Sequence, residues 1–136
     1  MTEINSTLAL SGVLLFLIGL INGVLIPVGK SPRMGLSAHL TAVQSGTFLM
    51  AAGLLWPHIA FGNGWGAPTA AALWLSLYAL WLALFLAGVF GTGRDLPIAG
   101  GEMRGNKVAQ TISTVLLYGS VVGSLGATAS MAFWML

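Results

Sequence analysis

Long apolar runs alternate with short polar breaks along this chain, and the runs exceed what an ordinary core helix needs. Four stretches, residues 7–28, 34–56, 68–91 and 108–135, are almost free of charge. A helix rises ~1.5 Å per residue, so roughly 20 apolar residues cross a hydrocarbon layer. Each stretch reaches that length. The pattern predicts an all-α fold, a polytopic membrane protein whose four transmembrane helices form one bundle and one domain over residues 1–136.

The breaks carry turn chemistry. Lys30-Ser31-Pro32-Arg33 predicts a tight polar turn, and Pro57-His58 followed by Gly62-Asn63-Gly64 and Gly66 closes the second span. Pro68 falls at a helix start, where its missing N–H costs nothing. The third connection, residues 92–106, holds Gly93, Pro97, Gly100, Gly101 and Gly105 and reads as loop. The first six residues contain Glu3 and no Lys or Arg. The run behind them is longer than the roughly 7–15 residues of a signal core, so it is expected to remain as a true span.

Charge adds an orientation. The five basic residues, Lys30, Arg33, Arg94, Arg104 and Lys107, all lie in the first and third connections. Short-loop Lys/Arg bias places such loops in the cytoplasm, with both termini outside, in a bacterial-type inner membrane. Trp56, Trp65 and Trp134 are expected near the outer boundary as an aromatic belt. Only 6% of residues are charged, against roughly 25% in a soluble domain, so lipid must cover most of the surface. The net charge of +2 reflects topology, and no basic stripe points to nucleic acid. Cysteine is absent, which excludes disulfides, iron–sulfur clusters and thiolate-ligated haem.

Small residues crowd the fourth span: Gly119/Gly123, Ser120/Ser124 and Gly126/Ser130 are small-xxx-small pairs, joined by Gly19/Gly23 in the first span. In lipid such faces let helix backbones approach closely. Packing within one unit uses some of them, and their number also predicts a homo-oligomer.

Polar residues at membrane depth carry the candidate chemistry, because lipid makes them expensive. No span holds a carboxylate, which argues against a small exporter dependent on an intramembrane Glu. His39 is the foremost candidate. It lies about 8 Å below the cytoplasmic end of the second span, on a small, flat strip with Ala42, Val43, Gly46, Met50 and Gly53. Arg33 and Lys30 lie just above, where they would meet propionates or another anion. Three roles are open to His39: a cofactor ligand, a packing residue bonded to a neighbouring carbonyl, or a proton relay. His58 reads as a solvated boundary residue. Asn22, at nearly the depth of His39, is either an interhelical hydrogen-bonding group or a substrate contact. Ser45, Gln44 and Tyr118 lie a turn or so deeper, and Ser76, Tyr78 and Trp81 line the third span. Ser45 projects ~240° from His39, so not all of these line one cavity. An aromatic, uncharged, sparsely polar cavity suits a small neutral aromatic molecule that partitions into lipid.

The run Pro32-Arg33-Met34-Gly35-Leu36-Ser37-Ala38-His39-Leu40, then Gln44-Ser45-Gly46, and Leu96-Pro97-Ile98-Ala99-Gly100-Gly101 resemble the hydroxylaminobenzene mutase family over essentially the whole chain. The resemblance implies rearrangement of an arylhydroxylamine to an ortho-aminophenol. More distantly, Ala38-His39 and Gly46 are similar to styrene oxide isomerase, a four-helix membrane enzyme that binds haem b through one second-span His and forms trimers. That similarity implies His39 as iron ligand and a homotrimer, with the matched Gly46 beside the haem; Arg33 joins the cofactor-binding candidates by its place above His39. Ser45 stands where that family has Asn, and Ser76 and Leu84 fall where it has acidic and Tyr residues, which puts epoxide isomerisation in doubt. In the implied reaction Asn22, Ser45, Tyr78 and Tyr118 are the substrate-contacting candidates. The competing classes are a haem-binding electron-transfer subunit and a small transporter or scaffold without catalysis.

Overall fold

Each apolar run becomes one helix in the computed structural model, which describes residues 3–136. The helices are α1 (Glu3–Leu25), α2 (Pro32–Leu55), α3 (Gly66–Phe90), the single turn α4 (Pro97–Gly100) and α5 (Lys107–Met135). Short 3-10 turns at Ile26–Val28 and Trp56–His58 finish the first two spans, and no strand occurs among the described residues. All but α4 are long and apolar enough to cross a membrane. The protein is a multi-pass membrane protein.

Local chemistry sets the ends. Ser31 caps α2, its hydroxyl accepting from Met34 N, and Pro32 takes the first helical position. The carboxamide of Asn106 caps α5 by accepting from Ala109 N at 2.7 Å. α3 stops at Gly91, whose φ of 71° is left-handed and whose N–H reaches back to Ala87 O. α1 begins at Glu3, four residues ahead of its apolar run, because the added turn still packs: a Cβ on Gly53 of α2 would lie 2.8 Å from Asn5 O.

The long helices pack in chain order, α1 on α2, α2 on α3 and α3 on α5, with a slighter α1–α3 contact. One apolar core threads Leu8 and Leu15, Ala42 and Leu49, Leu73 and Leu77, and Ala127 and Met131 from the four helices. A smaller core joins Met34 and Ala38 to Leu84 and Ala87 near the Lys30 end. Trp56, at the turn that ends the second span, is buried with its ring 4.8 Å from Phe61, so the turn after α2 folds back over the core.

The third connection is more ordered than its glycines suggest. α4 turns it back so that Gly93 and Gly100 face each other with no room for a Cβ on either. Asp95 beyond α3 accepts hydrogen bonds from Thr114 and Gln110 of α5, with Arg94 beside it at 3.6 Å. Thr92 and Ser113 share another at 2.9 Å. These bonds tie the start of α5 to the end of α3.

Candidate functional site

His39 stands on the second turn of α2, fixed by a contact across the α1–α2 seam. Its Nδ1 lies 2.7 Å from the carbonyl oxygen of Gly19. A carbonyl only accepts, so Nδ1 carries a proton, and in a neutral ring that leaves the Nε2 lone pair free. The ring lies against Gly23, where a Cβ would come within 2.9 Å of Nδ1. Gly19 and Gly23 therefore form the seat of the imidazole, one through its carbonyl and the other through its missing side chain. The half-buried ring presents Nε2 without a hydrogen-bond partner among the described residues. A neutral imidazole oriented this way can ligate a metal centre or accept a proton.

The remaining candidates divide among other places. Gly46 meets α1 itself: a Cβ there would sit 2.6 Å from Phe16 N and 2.7 Å from Gly12 O, so helix backbone fills its flat surface. Arg33 turns towards α4, with Nη1 3.5 Å from Ile98 O. Ser45 is buried and Gln44 exposed. Tyr78 of α3 crosses to α1, its hydroxyl donating to Ser11 O at 2.7 Å, and packs on the main core with Trp81. Ser76 bonds within its own helix to Leu73 O. Tyr118 is 58% exposed on the outer side of α5. His58 is exposed in its turn. The structure thus separates three groups: His39 against α1, Ser45 and Tyr78 in the interior, and Tyr118 outside.

Asn22 has a different setting from His39, although it directly precedes Gly23 in the chain. It lines a cleft of about 360 Å³ where the ends of α1 and α3 meet the start of α2. Leu25, Ile26, Phe85 and Val89 supply apolar walls, and the turn through Gly29 and Lys30 forms the rim. Asn22 is 5% exposed and its Nδ2 has no hydrogen-bond partner. Trp81 Nε1 is likewise buried without one, and the Trp81 ring stacks on Phe85 with centroids 5.6 Å apart. Buried donors almost always find partners, so these two mark unspent binding capacity.

Sequence reasoning missed the roles of Gly19, Gly23 and Phe85. The Gly19/Gly23 pair lay at the depth of His39, which was a usable signal for the imidazole seat. Phe85 carried none, being one apolar residue among many. Among the described residues no group of three His, Asp or Glu side chains converges as a metal site. A haem taking a single protein ligand could be held by His39, whose Nδ1 is tethered and whose Nε2 has no partner among the described residues.

Comparison with known proteins gives a consistent picture. Residues 4–136 match the family model for styrene oxide isomerase. The chain is 43% identical over 109 residues to hydroxylaminobenzene mutase HabA of Ectopseudomonas oleovorans, covering 79% of this chain and 81% of that protein. It is 39% identical over 124 residues to hydroxylaminobenzene mutase HabB of the same organism, covering 90% and 75%. No solved structure matches the chain.

Proposed function

The chain belongs to the styrene oxide isomerase family, and from that premise we propose that it converts hydroxylaminobenzene-type arylhydroxylamines to 2-aminophenols within the membrane. It is an isomerase, an intramolecular transferase. The observation that carries the specific reaction is the 43% identity to a protein named hydroxylaminobenzene mutase, over 81% of that protein. The hydroxyl group leaves nitrogen and bonds to the ortho ring carbon. That carbon's hydrogen is lost as a proton while nitrogen gains one, so substrate and product have the same atoms and no external oxidant is required.

His39 is the residue on which the chemistry centres, and its Nε2 would hold haem b, the proposed cofactor. A haem held there would supply Lewis acidity towards the N–OH oxygen. The chain's own contribution is positional. The Gly19 carbonyl holds the imidazole in one tautomer and one orientation, and glycine at position 23 keeps the ring against α1. Asn22 and Trp81 offer donors to a polar substituent on an aromatic ring, and Phe85 and Trp81 offer ring faces. The apolar walls beside Asn22 would keep an aromatic ring held there out of water. A haem-carrying homotrimer in a bacterial-type inner membrane is the proposed assembly. Its Lys/Arg-bearing loops face the cytoplasm and both termini lie outside. Reporter fusions at Gly100 and Asn63 check this orientation: the first should report inside and the second outside, and the reverse pattern overturns it.

The direct test combines an anaerobic absorption spectrum of purified protein with turnover of phenylhydroxylamine to 2-aminophenol. A Soret band that shifts on adding substrate, together with product formation, is the expected result. Colourless protein with turnover retains the isomerase and discards the cofactor. Colourless, inactive protein that is folded by circular dichroism returns the chain to the transporter or scaffold class.

A further inference from the structure

The cleft beside Asn22 has the makings of a ligand site, and His39 is not among its walls. Its volume of about 360 Å³ falls within the usual range for small-molecule pockets. The walls are aliphatic apart from the Phe85 ring, and Gly88 lets α3 approach α2 so closely that a Cβ there would lie 3.1 Å from Gly35 N. Lys30 brings a positive charge to the rim and no carboxylate joins it among the described lining residues, which disfavours a cation. Asn22 lines this apolar space; it is more than nine-tenths buried and its Nδ2 makes no hydrogen bond. A lone buried donor is costly in water and more so in hydrocarbon. An apolar residue would cost less, so the amide's presence calls for an acceptor that arrives from outside the chain.

We propose that this cleft is a capture site for a neutral benzene ring bearing an oxygen acceptor, with the oxygen bonded to Asn22 Nδ2 and the ring packed against Phe85. The rim at Gly29–Lys30 is its mouth. Ligand enters from the membrane end that carries the first connection, apart from the seat of His39. A ring with one oxygen substituent is common to arylhydroxylamines and aminophenols, and to that extent this inference rests on the reaction proposed above. An acyl chain would fill the apolar walls but leave the amide unpaired. A water molecule would meet too few polar partners to be held.

Phenol and toluene are matched probes, since they differ little in size and only phenol offers an oxygen. Binding is measured calorimetrically to the full chain in lipid nanodiscs, with empty nanodiscs subtracted. Wild-type protein should bind phenol about tenfold more tightly than toluene, the difference that one neutral hydrogen bond supplies. Asn22→Leu should erase that preference and leave toluene binding within about twofold, while melting no lower than wild type because an unpaired donor has been removed. Val89→Trp, a substitution at a partly exposed wall position, should plug the cleft and weaken both probes about tenfold. A phenol preference that survives Asn22→Leu overturns the site. So does probe binding unaffected by Val89→Trp, or failure of both probes to bind because phospholipid keeps the cleft filled. Turnover of phenylhydroxylamine by wild type separates the two proposals. Turnover with phenol binding indifferent to Asn22 removes this site and keeps the reaction. Asn22-dependent binding without turnover keeps the site and removes the reaction.

Discussion

Along the α1–α2 seam, Gly12, Gly46 and Gly53 leave no room for a methyl group, and the obstacles are largely main-chain atoms at 2.6–2.8 Å. The α3–α5 seam has Gly123 against Ser76, while Gly119 and Gly126 of α5 face open space. Besides the core packing of Ala127 and Met131, α5 is held by polar side chains: Thr69 with Ser130 and Thr92 with Ser113, both at 2.9 Å, and the Asp95 cluster. The same small-xxx-small pattern therefore serves two ends. Backbone contact between α1 and α2 lets a carbonyl of one helix reach an imidazole of the other, and that contact orients His39. Side-chain contact between α3 and α5 holds a helix in place without bringing reactive groups together.

If the chemistry belongs to the first pair, the largest difference lies between His39 and Tyr118. His39→Ala should reduce turnover of phenylhydroxylamine at least about a hundredfold, the scale on which a directly acting group contributes. Any Soret band should vanish with it, while circular dichroism and melting remain near wild type. Tyr118→Phe, on the exposed side of α5, should keep turnover within about twofold. Equal losses in the two variants would erase the distinction between the pairs.

Next in size is a packing effect. Gly46→Leu drives a side chain into Phe16 N and Gly12 O, main-chain atoms that cannot swing aside. A loss of about 3 kcal/mol in unfolding free energy is expected, at the upper end for overpacking. Its measure is reversible denaturation in mixed micelles. Activity should fall as well, since Gly19 and His39 lie on the two helices being pushed apart.

The spans and their punctuation were legible because length and missing charge are physical requirements of crossing lipid. The faces were not. Leu10, Val13, Leu17 and Ile21 of α1 are exposed and as apolar as its buried Leu8 and Leu15, since lipid accepts on the outside what the core accepts within. Periodicity therefore left open that Gly46 meets α1 and that Tyr118 faces outward. His39 stood out because an imidazole at membrane depth needs a reason. The Asp95 cluster was hidden because its members, Asp95, Gln110 and Thr114, are separated by a loop whose course is set by the Gly93–Gly100 contact. Asn22 was visible as a polar residue, but that its amide is unpaired follows only from its neighbours.

A smaller effect tests the bonding attributed to the second pair. Thr69→Val keeps the shape and removes the hydroxyl that meets Ser130. Hydrogen bonds between membrane helices average about 0.6 kcal/mol, because the separated helices also find partners. A loss of that order in the same denaturation assay is expected. A loss as large as that of Gly46→Leu would show that the α3–α5 contact is no looser than the α1–α2 one.

The smallest effect should come from the same chemical change as the largest packing effect, made on the other helix pair. Gly126→Leu adds a side chain where nothing lies within 4 Å of the new Cβ, so no overlap opposes it. In water, helix propensity alone would favour Leu by ~0.8 kcal/mol. In a bilayer the separated helix is already helical, since its backbone has no other way to bond, and most of that gain cancels. Unfolding free energy should therefore stay within about 0.5 kcal/mol of wild type. Assembled mass by light scattering, taken on the same sample, gives the outcome a second reading. Unchanged stability and mass leave this face of α5 to lipid, whereas a fall in mass with the helices intact puts it at a contact between copies of the chain.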